Sequence, residues 1–276
     1  MSLTCTQLKQ YCERIGYAGP LDTTFETLQA LQLHHVLNVS FENLDSWQGQ
    51  PPAIDPATLF DKLVLRRRGG YCFEQNGLFM LVLQTLGFSV QGLSARVLWN
   101  QPADARPPRT HQALMVELKG QEWLVDVGFG GLTPLAPLRL ETELQQATPL
   151  ETLRLRQSGS GLLLEVFLND SVRPVYWFQP EASMPADFVQ SNWFVATHPE
   201  SRFVKHLVAS CVRREVDGSL SRHALLDRDY SVYRVDQAPR KRTLESAAEL
   251  ELLLKDTFTL PIASLPALQA KLAGLF

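Results

Sequence analysis

Near residue 90 the spacing of apolar residues changes from the three- and four-residue steps of a helix to the two-residue step of a strand. That change separates helices from strands along the chain. Before it, Leu8, Tyr11, Cys12 and Ile15 form one buried stripe that Gly16 is placed to end. Thr23 and Glu26 have the spacing of a capping box for a second helix running through Leu28, Leu31 and His35. Asp55 followed by Pro56 opens a third helix, burying Leu59, Phe60 and Leu63. A fourth starts near Cys72 and carries Phe79, Met80, Leu83 and Leu86 up to Gly87.

After residue 90 the pattern predicts strands over 90–99, 111–118 and 122–127, the last two forming a hairpin around Lys119 and Gly120. Strands at 153–156 and 162–168 flank a Ser-Gly-Ser-Gly turn, and 172–178 adds another, which together suggest a small barrel or sandwich. Residues 184–201 read as a connection with a short helix. Strands follow at 204–213, 219–226 and 230–235, the first two joined at Asp217 and Gly218. A helix over 244–258 places Leu250, Leu253 and Leu254 on one face, and a last helix runs from Ser264. A chain of 276 residues exceeds one ordinary core, so two or three packed subdomains are expected. The divisions fall at 1–89 (helical), 90–183 (β), 184–203 (connecting) and 204–276 (mixed α and β).

With 45% hydrophobic and 20% charged residues the chain buries a substantial core, which excludes a largely disordered protein. Its 26 Lys and Arg against 29 Asp and Glu, a net charge of −3, argue against a general nucleic-acid binder. Residues 1–7 lack the basic start and apolar centre of a signal peptide. The apolar run at 78–83 is too short to span a bilayer. A cytoplasmic protein without membrane or nucleic-acid partners is the expectation. The cysteines are Cys5, Cys12, Cys72 and Cys211; no two form a CxxC pair, so no metal site or redox dithiol is indicated. Cys5 and Cys12 on one helix would lie roughly 10 Å apart, too far for a disulfide.

The stretch most informative about chemistry is Arg66-Arg67-Arg68-Gly69-Gly70-Tyr71-Cys72-Phe73-Glu74-Gln75-Asn76. Two glycines relieve crowding just before Cys72, which falls at a helix N-terminus. There the helix dipole and free amides favour a thiolate, and three upstream arginines add positive potential. The same residues also fit a buried, inert cysteine beside a solvated basic turn.

A cysteine nucleophile needs an imidazole, best held by a carboxylate. Of the six histidines, His34 and His35 read as helix neighbours with packing roles, while His111 lies on the hairpin. If Lys119 and Gly120 make a two-residue loop, Asp126 faces Ala113. His111 is then a diagonal neighbour on the same face at about 7 Å between backbones. A loop one residue different would break that parity. Val127-Gly128-Phe129-Gly130-Gly131 follows; it is neither a Rossmann nor a Walker A sequence. It permits close backbone approach to a ligand such as a pyrophosphate, and equally a plain strand-ending turn.

The run 67–76 resembles the nucleophile motif of arylamine N-acetyltransferases. Three further segments agree in order: Phe41-Glu42-Asn43-Leu44-Asp45, His111 followed by Asp126-Val127-Gly128-Phe129-Gly130-Gly131, and Thr197-His198-Pro199-Glu200-Ser201-Arg202-Phe203. The resemblance implies an α+β fold related to cysteine proteases and transglutaminases, with a helical bundle, a β-barrel and an α/β lid. It implies a catalytic triad of Cys72, His111 and Asp126. Acetyl-CoA would be the cosubstrate, with no tightly bound cofactor, and arylamines, hydrazines or arylhydroxylamines the acceptors. It also places Phe41, Phe129 and Phe203 at the aromatic substrate, and Gly128, Gly130 and Gly131 near the CoA pyrophosphate or the entrance. Arg68 and Glu42 would form a supporting ion pair. Ser40 departs from the proline common before Phe-Glu-Asn, a change expected to alter the local turn and leave the triad untouched. The three triad residue types alone would equally serve a peptidase or transglutaminase-like hydrolase.

Overall fold

The structure, a computed structural model, describes residues 2–168, 171–265 and 267–276. The first helix, α1 (Cys5–Ile15), is capped by Thr4 and ended by Gly16. The second, α2 (Phe25–Asn38), is capped by Thr24 rather than by a Thr23–Glu26 box. Thr24 has the extended backbone a cap requires, and its hydroxyl bonds the Asp22 carboxylate while accepting from the Thr27 amide. A two-residue strand β1 (Phe41–Glu42) and a single helical turn α3 (Leu44–Trp47) follow, neither evident in the apolar spacing. Asp55 caps α4 (Pro56–Phe60), which continues as a π-helical turn (Asp61–Leu65) before α5 (Cys72–Thr85).

The middle of the chain forms β2 (Ser89–Val97), β3 (Arg109–Leu118), β4 (Gln121–Val125), β5 (Leu138–Arg139), β6 (Gln145–Ala147), β7 (Thr152–Ser158), β8 (Gly161–Leu168) and β9 (Ser171–Phe178). They make one eight-stranded sheet in the order β5-β4-β3-β2-β9-β8-β7-β6. The side-chain amide of Gln146 joins its two edges, accepting from the Arg139 amide at 2.7 Å and donating to the Arg139 carbonyl at 3.0 Å. The sheet is therefore a small barrel whose last seam is made by a side chain, resolving the choice between barrel and sandwich.

Helix α6 (Pro185–Thr197) and the turn α7 (Arg202–Lys205) lead into β10 (Val208–Arg214), β11 (Leu220–Leu226), β12 (Asp229–Arg234) and β13 (Arg240–Thr243). The strand expected from residue 204 begins at Val208, because the Ser201 hydroxyl caps α7 and holds 202–205 helical. Strand β13 was not legible: its Arg-Lys-Arg-Thr is exposed throughout and pairs only along β12. Helices α8 (Ala247–Asp256) and α9 (Leu268–Ala273) close the chain. Instead of one helix from Ser264 there is a short 3-10 turn (Ile262–Ser264) before α9; Pro266 lies outside the described residues.

The second sheet has the order β1-β10-β11-β12-β13, so Phe41 and Glu42 from the helical part supply an edge strand to the C-terminal part, Phe41 opposite Ser210. The largest core packs Tyr11, Ile15, Leu31, Phe79 and Val82 against the outer face of the barrel at Leu114 and Val116. A second fills the barrel with Leu93, Leu155, Leu164 and Phe178. A third sets Leu250, Leu254 and Phe258 beneath the second sheet, with Leu44 and Trp47. A small aromatic cluster of Phe41, Tyr71, Cys72, Phe73 and Phe188 joins these bodies. Among the described residues no helix is long and apolar enough to cross a membrane.

Candidate active site

Cys72 is the first residue of α5, and Tyr71 before it has the extended backbone of a cap. Gly69 passes so close to β1 that a Cβ there would fall 2.2 Å from the Ser40 carbonyl, which requires a glycine at this position. The Glu74 carboxylate accepts from the Tyr71 amide at 3.1 Å and from Lys62 Nζ at 2.6 Å. Lys62 also bonds Asp45 at 2.6 Å, and Arg68 pairs with Glu42 at 2.7 Å and Asp45 at 2.8 Å. The expected Arg68–Glu42 pair is thus part of a five-residue network, buried except at the half-buried Asp45, that braces the turn before Cys72. Burial pushes the Glu74 carboxyl up to about 7, against the pull of Lys62.

Of the three arginines expected to put positive potential on Cys72, two are paired with carboxylates. Arg68 is neutralised by two carboxylates, Arg66 pairs with Asp61 at the surface, and none of the three lines the cavity at Cys72. The groups directly at the sulfur are the helix terminus and the imidazole.

Lys119 and Gly120, both at positive φ, form the two-residue turn, and Leu118 to Leu114 pair with Gln121 to Val125 in the expected register. Asp126 follows directly, and its Oδ2 lies 2.7 Å from His111 Nε2, both side chains buried. Asp126 Oδ1 accepts from Asn76 Nδ2 at 2.9 Å and from the Gly128 amide at 2.8 Å. Burial opposes a charge on His111, but the adjacent Asp126 carboxylate and hydrogen bonds with Asp126 and Cys72 raise its pKa to about 10. With Nε2 committed to Asp126, Nδ1 is the ring nitrogen that meets the thiol.

Two residues at this site carried no role in the sequence reading. Asn76, one helical turn beyond Cys72, also donates to the Gln112 carbonyl at 2.7 Å and accepts from the Val127 amide at 3.0 Å. Its four-residue distance from the cysteine was the available signal. Gln32 on α2 donates to the Asp126 carbonyl at 3.3 Å and the Pro134 carbonyl at 2.9 Å, across some ninety residues with no local signature.

A cavity of about 1170 Å³ opens over Cys72 and His111, and Phe41, Phe129 and Phe203 all line it. Phe129 stands edge-on to His111 at 5.1 Å, and Phe203 lies 5.8 Å from Phe41 and 5.6 Å from Tyr71 between ring centres. Gly128 and Gly131 line the same cavity, whereas Gly130 packs beneath the Phe41 ring and faces away from it. The remaining histidines lie outside: His35, pushed down to about 3 by burial, bridges Tyr11 and Gln75, and His206 pairs with Asp227. Ser40 donates to the Phe258 carbonyl at 2.6 Å, a bond to the C-terminal part that a proline could not make. Among the described residues no three His, Cys, Asp or Glu side chains cluster as metal ligands.

The geometry is that of a cysteine paired with a carboxylate-oriented imidazole, the arrangement of nucleophilic acyl transfer. A family model described as N-acetyltransferase matches residues 24–265. The arylamine N-acetyltransferase of Mycobacterium tuberculosis is 41% identical over 250 residues, 89% of this chain and 87% of that one. The Salmonella typhimurium arylamine N-acetyltransferase / N-hydroxyarylamine O-acetyltransferase is 36% identical over 252 residues, 91% of this chain and 86% of its own. The structure of Mycobacterium marinum arylamine N-acetyltransferase in complex with CoA superposes with a TM-score of 0.92 at 40% identity, covering 97% of this chain and 99% of that one. With the cysteine, histidine and aspartate in place and likeness running through all three parts, this chain belongs to the arylamine N-acetyltransferase family.

Proposed function

We propose that this protein transfers an acetyl group from acetyl-CoA, consumed as a cosubstrate, to the nitrogen of arylamines, hydrazines or arylhydroxylamines through an acetyl-Cys72 intermediate. The observation that carries this reading is Cys72 at the mouth of α5 beside the His111–Asp126 pair, on the floor of an aromatic-lined cavity. The Cys72 sulfur attacks the thioester carbonyl, the bond to the CoA sulfur breaks, and the His111 imidazolium returns its proton to the departing thiolate. The amine nitrogen then attacks the acetyl carbonyl, His111 accepts its proton, and the bond from the acetyl carbon to the Cys72 Sγ breaks, releasing the amide and returning the thiolate beside the His111 imidazolium. The Cys72 N–H, in the first turn where amides lack intrahelical partners, is the proposed oxyanion donor.

Phe41, Phe129 and Phe203 provide flat apolar faces for an aromatic acceptor. Gly131, with open space where a Cβ would stand, leaves the cavity wall free for the CoA pyrophosphate, while Gly128 makes room for the Cys72 backbone beside it and Gly130 supports Phe41 from behind. Arg202 and Lys241 on the same wall have no carboxylate partner among the described residues and suit the donor's phosphates. Residues 1–89 would supply the nucleophile, 90–183 the His111–Asp126 pair, 184–203 the connection and 204–276 the lid. Cysteines 5, 12, 72 and 211 are all free, which fits catalysis in a reducing cytoplasm.

Mixing the protein with acetyl-CoA and no amine is expected to add one acetyl group, mapped by peptide mass to Cys72 and removed by an aminobenzoate or an aryl hydrazine. No adduct with acetyl-CoA would refute the reading, and cleavage of peptides without CoA would favour a hydrolase.

Gly128 offers a separate test, because a Cβ there would lie 2.8 Å from the Cys72 Cα and 3.0 Å from Asn76 Nδ2. Gly128→Ala is expected to lose about 1–3 kcal/mol in urea unfolding and roughly 100-fold in the rate of Cys72 acetylation. An alanine variant acetylated at the wild-type rate would show that this close approach does not set the triad geometry.

A further inference from the structure

The loop from Asp126 to Pro134 carries the carboxylate that orients His111 and the Phe129 ring that stands against it, so its position bears on both the triad and the acceptor side of the cavity. Its base is pinched by Gln32, whose amide holds the carbonyls of Asp126 and Pro134. Asn76 and the contact of Gly128 with Cys72 hold its first half. The far half is a tight turn in which the Thr133 amide bonds the Gly130 carbonyl at 3.2 Å and the Thr133 hydroxyl accepts from the Gly130 amide at 2.7 Å. Besides the packing of Gly130 on Phe41, one hydrogen bond among the described residues ties that turn to the C-terminal sheet. Arg222 on β11, 2% exposed, donates from Nη2 to the Thr133 carbonyl at 3.1 Å. Its guanidinium is itself oriented by Glu151, which lies just before β7 of the barrel, with Nε to Oε1 and Nη2 to Oε2 both at 2.9 Å. A bidentate pair of this kind fixes a plane and a direction, so one guanidinium joins the lid sheet, the barrel and the Gly130–Thr133 turn.

We propose that Arg222 is a positioning residue which, through Thr133 and Gly130, holds Phe129 over the acetylated cysteine and so favours transfer to an amine over loss to water. The inference rests on the transferase reading above. Acetyl-Cys72 has two fates: attack by an amine, giving the amide, or attack by water at the same carbonyl. In the second, the C–S bond breaks, acetate leaves and the proton returns to the Cys72 sulfur through His111. The chemistry at sulfur is shared. The difference lies in whether the acceptor side is packed by an aromatic ring held in place, which orients a flat amine and leaves water less room. Arg222 and Glu151 line the cavity, but Asp126 at the start of the loop is held separately by Asn76 and the Gly128 amide, so release of the tether falls on Phe129 and the second half-reaction.

The test uses the full chain, acetylated with excess acetyl-CoA and desalted, with loss of the acetyl adduct followed by intact mass in buffer and with an aminobenzoate. Arg222→Met combined with Glu151→Met removes the tether without leaving either charge buried alone. Its ratio of water loss to amine transfer is expected to rise roughly tenfold, read on protein already fully acetylated so that a change in acetyl-CoA binding at this wall does not enter the ratio. Thr133→Val, which keeps the ion pair and loses the hydroxyl bridge to Gly130, should move the ratio the same way should the double variant not fold. Glu151→Gln, which keeps an oxygen for Arg222, should leave the ratio within about twofold. An unchanged ratio in the tether variants, equal slowing of both half-reactions, or a Glu151→Gln shift as large as the double variant's would each overturn the proposal. Wild-type protein that takes up no acetyl group would instead overturn the transferase reading on which it rests.

Discussion

Replacing Cys72 by serine is expected to lower kcat/KM for acetyl-CoA and an arylamine by roughly 10⁴-fold or more and to leave no acetyl adduct on the protein. A thiol gives up its proton to the adjacent imidazole at neutral pH, whereas a serine hydroxyl, far less acidic, cannot be stored as an ion pair with His111. Serine nevertheless fits the site. The Cys72 sulfur lies 3.8 Å from the Thr110 carbonyl, and a hydroxyl placed there retains a donor for that oxygen. The thermal midpoint should therefore stay within about 3 °C of wild type, so lost activity would reflect chemistry rather than unfolding. Intact mass and steady-state rates on one preparation decide the point. A serine variant that still turns over, or an adduct that moves to the exposed Cys5, would assign the nucleophile elsewhere.

Asp126→Asn should cost nearly as much, roughly 10³- to 10⁴-fold in acetylation rate, through the tautomer of His111. In the native site Asp126 Oδ1 faces two donors, Asn76 Nδ2 and the Gly128 amide, so an asparagine must keep its carbonyl oxygen there. Its NH₂ then points at His111 Nε2, which becomes an acceptor, leaving the proton on Nδ1 where the thiol needs a base. The same substitution removes the charge that holds the His111 pKa near 10 against burial, and desolvation then pushes that pKa down. The sign follows from linkage: a histidine raised in the folded state contributes stability fully below about 6.5, and loses it as pH rises through about 10. The wild-type acetylation rate should hold to about pH 9 and fall beyond it, while any residual rate of the variant falls from a lower pH. Thermal midpoints should decline between pH 6.5 and 10 in the wild type more than in the variant. A variant within tenfold of wild type, or an unmoved alkaline limb, would remove Asp126 from the triad.

Legibility in the sequence followed the range of the interactions involved. The His111–Asp126 pairing was readable because a two-residue turn at Lys119 and Gly120 fixes a register, and a register fixes which side chains share a face. The helix ends at Gly16 and Asp55 were readable because caps are local chemistry. The second helix start was misplaced by one residue, since Thr23 and Thr24 are both competent caps and only the Asp22 contact selects between them. Strand β13 and the two residues of β1 had no apolar alternation to betray them, because each is an edge strand defined by its partner. The weight given to Arg68 before Cys72 fails for a related reason: its place in the run is local, but its neutralisation by Glu42 and Asp45 is not.

The sequence by itself determined a helical segment followed by a β segment and a mixed end, a cysteine at a helix N-terminus, and a histidine and an aspartate on one face of a hairpin. Each of these depends on periods, caps and turns only a few residues long. Only the tertiary structure decided that α5 delivers Cys72 to that hairpin, that Phe41 leaves the helical part to edge the lid sheet, and that Gln32, Asn76 and Arg222 hold the Asp126–Pro134 loop from three directions. The loop contacts of Gln32, Asn76 and Arg222 join residues from 50 to 102 positions apart, where no local preference acts. They exist because burying three cores against one another leaves each loop carbonyl and side-chain amide in need of a partner, and the partner is whichever group the packed neighbour presents.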